Sequence, residues 1–225
     1  MTSADLLHEV RDPELPGRLL TMERDALIPL LRARPEADFA LPAAGCPGWT
    51  VRDVLAHCSA ALTRVVESRF EKGVFSPESN ARDIAERADW THARVVDELE
   101  RGMGEAGPLI ARAGGALDKL ALGEWVHAGD VREAFGAPGA YAGAGLPYAL
   151  PLLARLTRES GHLPLHADLD DVDEPLRLGD VSGERTPARY IGDAATLVRL
   201  CAGRPVHERG YELAGAREGE LNIFG

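Results

Sequence analysis

Apolar side chains recur at helical spacing through Leu19, Leu20, Met22, Leu27, Leu30 and Leu31, and Pro35 ends the run, so the spacing predicts a helix within Leu15 to Arg34. A Pro-, Ala- and Gly-rich loop closes at Cys46-Pro47-Gly48-Trp49. Thr50 and Asp53 then stand at capping-box spacing before a second helix reaching Phe70, with Val51, Val54, Leu55, Cys58, Ala61, Leu62 and Val65 on one face. A long third helix is expected from Glu78 to Arg112, interrupted by Gly102, Gly104 and Gly107-Pro108, and a fourth from Ala116 to Phe135, stopped at Gly136. Four helices with short links predict an antiparallel four-helix bundle.

Beyond the Gly- and Pro-rich stretch Gly136 to Pro147, a further helix over Tyr148 to Ser160 leads out of the bundle, and the pattern then changes. Leu163 to Leu165, Leu176 to Leu178 and the last dozen residues read as short strands, with one helix over Ala188 to Ala202 and a solvated acidic loop over Asp168 to Glu174. The expected fold class is α+β, mainly α. A helical bundle occupies residues 1–160 and a small C-terminal α/β domain residues 161–225.

On a helical wheel the fourth helix should bury Leu117, Leu120, Val131 and Phe135, yet Glu124 and His127 fall in the middle of that stripe, with Lys119 and Arg132 outside it. Buried ionisable groups must be paired or must ligate something, because an isolated buried charge is too costly. His57, on the shoulder of the second helix's stripe, is the candidate partner. Two imidazoles and a carboxylate with an open position form a recognised set for zinc and related ions. Asp130 is a third ligand, an orienting group for an imidazole, or a surface acid; a hydrogen-bonded Glu124–His127 pair is the structural alternative. Trp49 reads as packing, and His8, His92, His162, His166 and His207 as surface or loop residues.

Composition narrows the function. The 225 residues are 45% hydrophobic and 27% charged, with a net charge of −11, which disfavours a nucleic-acid partner. No apolar run is long enough to span a bilayer and Met1 to Asp12 does not read as a signal, so a cytoplasmic protein is expected. Cys46, Cys58 and Cys201 are odd in number and lack metal-pair spacing, and none stands out as a nucleophile.

Two segments carry a resemblance. The run from Cys46 through Trp49, Thr50 and Asp53 to His57, and the run Glu124-Trp125-Val126-His127-Ala128-Gly129-Asp130-Val131-Arg132-Glu133-Ala134-Phe135-Gly136, resemble the metal-binding segments of the mycothiol-dependent maleylpyruvate isomerase family. Ala202-Gly203-Arg204-Pro205 is similar to that family's C-terminal domain. The resemblance implies a DinB-like metal-binding bundle with a small α/β domain, from an actinobacterium that uses mycothiol. His57 and His127 then match two ligand positions. The third usually stands four residues before the second histidine, where this chain has Gly123, with Glu124 one step later.

The implied activity is a divalent-metal- and mycothiol-dependent isomerase or thiol S-transferase acting on a small electrophilic, carboxylate-bearing metabolite. Zinc is the favoured ion, though nickel, iron or manganese suit the same donors. Arg204 is the candidate for catalytic and cofactor-binding contacts, because a guanidinium grips carboxylates bidentately. The expected partners are the small substrate and the thiol, in a monomer or homodimer. Two other readings use the same ligands: a non-catalytic metal-stabilised binding or regulatory module, and a metal-assisted hydrolase without thiol.

Overall fold

The computed structural model describes residues 11–70, 74–180, 185–206 and 210–224; His8 and His207 lie outside them. The first helix, α1, spans Leu15–Arg32. Helix α2 spans Val51–Val66 and starts on the expected capping box, with Thr50 accepting from the Asp53 amide and the Asp53 side chain accepting from the Thr50 amide.

The long third helix is instead three: α3 at Pro77–Glu86, α4 at His92–Glu105 and α5 at Gly107–Arg112. The break falls at Arg87–Thr91, where the Thr91 hydroxyl caps the amide of Arg94 and starts a new helix. Gly102 lies inside α4 rather than ending it. A Cβ there would sit 2.6 Å from Cβ of Leu62, so the glycine lets α4 approach α2 closely.

Helix α6 spans Asp118–Ala134 and α7 Leu146–Glu159. Helix α1 packs on α4 and α6, and α2 packs on the same two, so the four close a ring around Leu19, Leu27, Leu55, Leu62, Leu99 and Trp125. Helix α7 does not lead out of the bundle as the sequence pattern suggests. It packs along α1 and α6 and adds Leu150, Leu152 and Leu153 to the core.

The tail is a four-stranded sheet with β1 at Leu165–Leu169, β2 at Leu176–Leu178, β3 at Ala188–Gly192 and β4 at Glu212–Ala214. Their order is β2-β1-β3-β4, with β1 and β3 parallel and both edge strands antiparallel. The helix expected over Ala188 to Ala202 divides into β3 and α8, Ala194–Cys201, because the Asp193 side chain caps the amide of Thr196 and starts the helix late. Of the strand expected in the last dozen residues only Ala214 belongs to β4, and Glu218–Leu221 form a 3-10 turn. No described helix is long and apolar enough to cross a membrane.

Candidate metal centre

Helix α6 is buried nearly all round, and that overturns part of the wheel reading. Leu117, Leu120 and Phe135 are only partly buried, whereas Asp118, Leu122, Trp125, Val126, Ala128 and Gly129 are covered. A helix enclosed by α1, α2 and α7 has no solvated face to give it a strong apolar period. Asp130, for which a surface acid is one of the sequence readings, is fully buried.

Asp130 is held by four groups. Its Oδ2 lies 3.0 Å from His127 Nδ1 and 3.3 Å from Cys46 Sγ. Tyr141 donates its hydroxyl to Oδ1 at 2.5 Å, and Arg204 donates Nε to Oδ1 at 2.8 Å and Nη2 to Oδ2 at 2.7 Å. Burial alone would raise the Asp130 pKa, but the hydrogen bonds from His127 and Arg204 hold it well below the usual carboxylate range. Two glycines make the arrangement possible. A Cβ on Gly45 would meet Asp130 Oδ1 at 2.0 Å, and one on Gly129 would meet the Tyr141 ring at 2.4 Å.

His57 comes from α2 to the same place. Its ring centroid lies 5.4 Å from that of His127, nearly perpendicular, and 5.2 Å from that of Trp49. It is 6% exposed, and its Nδ1 has no hydrogen-bond partner. Burial first, then the neighbouring His127 and Arg64, push its pKa down to about 3, so it stands as a neutral imidazole, with Asp83 Oδ2 4.0 Å from Nδ1. His57 and His127 share the wall of a cleft of about 650 Å³ with Cys46, Trp49 and Arg204.

Glu124 is fully covered, beneath His127 in a small apolar void lined by Leu27, Leu55, Leu99 and Met103. Its Oε2 has no partner, and burial, only partly offset by a hydrogen bond from Cys58, raises its pKa to about 8. It is therefore a protonated acid at neutral pH. Cys46 is also kept protonated: burial, reinforced by the charge of Asp130, pushes its thiol up to about 12.

The sequence set of His57, Glu124 and His127 thus meets in one region without closing to a common point. Among the described residues, the ligand-type side chains whose donor atoms converge within 4.8 Å are Cys46, His127 and Asp130. Cys46 was not singled out as a ligand because its partners are 81 and 84 residues away, beyond any local spacing rule. Arg204 does face the cleft, but its Nε and Nη2 bond Asp130, and Nη2 also lies 3.4 Å from His127 Nδ1 and 3.8 Å from Cys46 Sγ.

Residues 20–139 match the family described as mycothiol maleylpyruvate isomerase N-terminal domain. The chain belongs to that family. No curated protein matches it in sequence at a significant level. The fold of the family extends over the whole chain: a crystal structure of the mycothiol-dependent maleylpyruvate isomerase superposes with a TM-score of 0.56 at 18% identity, covering 97% of this chain and 98% of that one. A histidine-to-alanine mutant of that enzyme gives a TM-score of 0.55 at the same identity and coverage.

The donors present suit a divalent ion of the kind the family resemblance implies. His57 Nδ1 and Glu124 Oε2 are two of the seven buried side-chain atoms among the described residues that lack a hydrogen-bond partner, and the two of them that belong to the expected ligand set. The Asp130 contact on His127 Nδ1 is the carboxylate support that ligating imidazoles usually carry; with the proton on Nδ1 the other ring nitrogen would be the donor to an ion.

Proposed function

We propose that the chain is a divalent-metal-dependent enzyme that uses mycothiol to isomerise, or to transfer the thiol to, a small electrophile. The observation that carries this reading is the pairing of a buried His57, whose Nδ1 makes no hydrogen bond and lies 4.0 Å from Asp83 Oδ2, with a carboxylate-supported His127 on the wall of one cleft. His57 and His127 would hold the ion, with Glu124 as third ligand and Cys46 as the alternative. A bound divalent ion would supply a thiolate at neutral pH, as it lowers the pKa of coordinated water. Mycothiol would supply the nucleophile, expelled again in isomerisation and retained in transfer.

The remaining tasks belong to the protein. Asp130 fixes the ring of His127, and Arg204 and Tyr141 fix Asp130. Since Arg204 follows α8, docking of the tail on the bundle is part of assembling the site, and we propose residues 1–160 and 161–225 as its two cooperating domains. Zinc is the proposed ion, in a cytoplasmic monomer or homodimer.

The departure at Gly123 sustains a second reading, a metal-stabilised binding module, because a carboxylate three residues before His127 enters a dry void rather than the cleft. Incubating metal-loaded protein with mycothiol and a cis-alkene or alkyl halide panel separates the two. Thiol-dependent product formation that is lost in His127→Ala supports the enzyme. Turnover without thiol points to hydrolysis, and none under any condition to the binding module.

A further inference from the structure

The sequence leads one to expect a carboxylate-bearing substrate, but away from the proposed ion the described cleft lining offers no unengaged cation to hold one. Among the described lining residues Arg204 is the one Lys or Arg, and its charge is neutralised at 2.7 and 2.8 Å by Asp130. The lining also contains Asp53, whose carboxylate is turned back to cap Thr50.

The opposite wall is apolar. Pro77, Ala81, Ile84 and Ala85 present one face of α3 to the cleft, and Trp49 closes its side. Phe75, edge-on to His57 at 6.1 Å between centroids, is 50% exposed and has a φ of 68°. A bulky residue rarely adopts that conformation, so the turn holds an aromatic ring beside the cleft at a backbone cost. The polar group on the α3 wall is the uncharged amide of Asn80, whose Oδ1 is buried without a partner.

We infer that the electrophile accepted by this cleft is uncharged away from its reacting carbon, an apolar or aromatic acceptor seated between Trp49 and the Ala81–Ile84–Ala85 face rather than a dicarboxylate. The inference rests on the proposed thiol chemistry for its reacting end and on the cleft wall for the rest. With an aryl enone the thiol adds across the alkene, sulfur to the β-carbon and the proton to the α-carbon, so no oxidant or reductant is needed. A second carboxylate would have to separate Arg204 from Asp130, leaving a buried carboxylate short of its main partner.

The test uses the metal-loaded protein and two unreactive ketones, 4-phenylbutan-2-one and its para-carboxylate, whose affinities are compared by calorimetry at fixed ionic strength. The neutral ketone should bind at least tenfold more tightly, and Ala81→Arg, at an exposed helix position, should erase or reverse that preference. Ala85→Arg serves as the second variant. Equal or tighter binding of the carboxylate in the parent, or no binding of the neutral ketone, overturns the inference. Mycothiol consumption with the corresponding enones is followed separately. Selective ketone binding without any thiol consumption retains the apolar cleft and sinks the proposed reaction, whereas faster consumption with the carboxylated enone does the reverse.

Discussion

Arg204 clasps Asp130 through both carboxylate oxygens across 74 residues of sequence, and the carboxylate so held is the one that supports His127. The pair makes the orientation of a bundle histidine depend on a residue of the tail.

Replacing Arg204 by Met should leave Asp130 buried with only Tyr141, His127 and Cys46, at a cost of about 3–5 kcal/mol. The sign in acid follows from the depressed pKa of Asp130. Its contribution is fully present above the unfolded value of about 3.9 and is lost as pH falls toward the lower folded value. The parent should therefore hold its stability down to about pH 4. In Arg204→Met the folded-state carboxyl pKa rises toward the unfolded value, so the part of the acid loss that Asp130 causes should shrink, while the whole curve lies lower at neutral pH. Thermal unfolding between pH 3 and 7 checks both; coincident curves would remove the role given to the pair.

Glu124 has the opposite dependence. Its folded pKa of about 8 lies above the unfolded value of about 4.3, so metal-free protein should lose stability as pH rises between those values and level off beyond. Glu124→Gln, which mimics the protonated acid, should flatten the slope and be the more stable form at pH 8, by a few kcal/mol at most. If Glu124 is the third ligand, metal binding at pH 7 should release its proton, and Glu124→Gln should release about one proton fewer. Calorimetry in buffers of different ionisation enthalpy reads the difference. An unchanged proton count would move the third position to Cys46.

Gly45→Ala places a methyl against atoms that cannot yield, since Asp130 Oδ1 is already bound by Tyr141 and Arg204. The expected result is a loss of about 1–3 kcal/mol with metal affinity lowered by roughly ten- to a hundredfold. Gly219→Ala, where a Cβ meets nothing within 4 Å, should change neither. Denaturant melts and metal titrations of the two variants make the comparison.

The sequence made the local features readable and left the long-range ones hidden. The Thr50 and Asp53 cap, the stripe of α2 and the placing of His57 and His127 near one interior follow from spacing alone. Of the two divisions of the third helix, the one at Gly107-Pro108 follows from the sequence, whereas the one at Arg87–Thr91 contains neither Gly nor Pro and rests on one Thr cap. Likewise β3 and α8 run together in the apolar pattern, and only Asp193 marks their boundary. The support of His127 was half-seen. Asp130 was weighed as an orienting group, but Cys46 and Tyr141 reach it from loops, and Arg204, expected to bind substrate, is engaged by it instead.

The most direct test of the central claim is the metal content of protein purified without a histidine tag, measured by elemental analysis for the parent, His57→Ala and His127→Ala, each shown to be folded by circular dichroism. The account predicts near-stoichiometric divalent metal in the parent and loss in both variants. A parent that carries none and takes up neither zinc, nickel, iron nor manganese, or variants that keep the parent's metal, would contradict it.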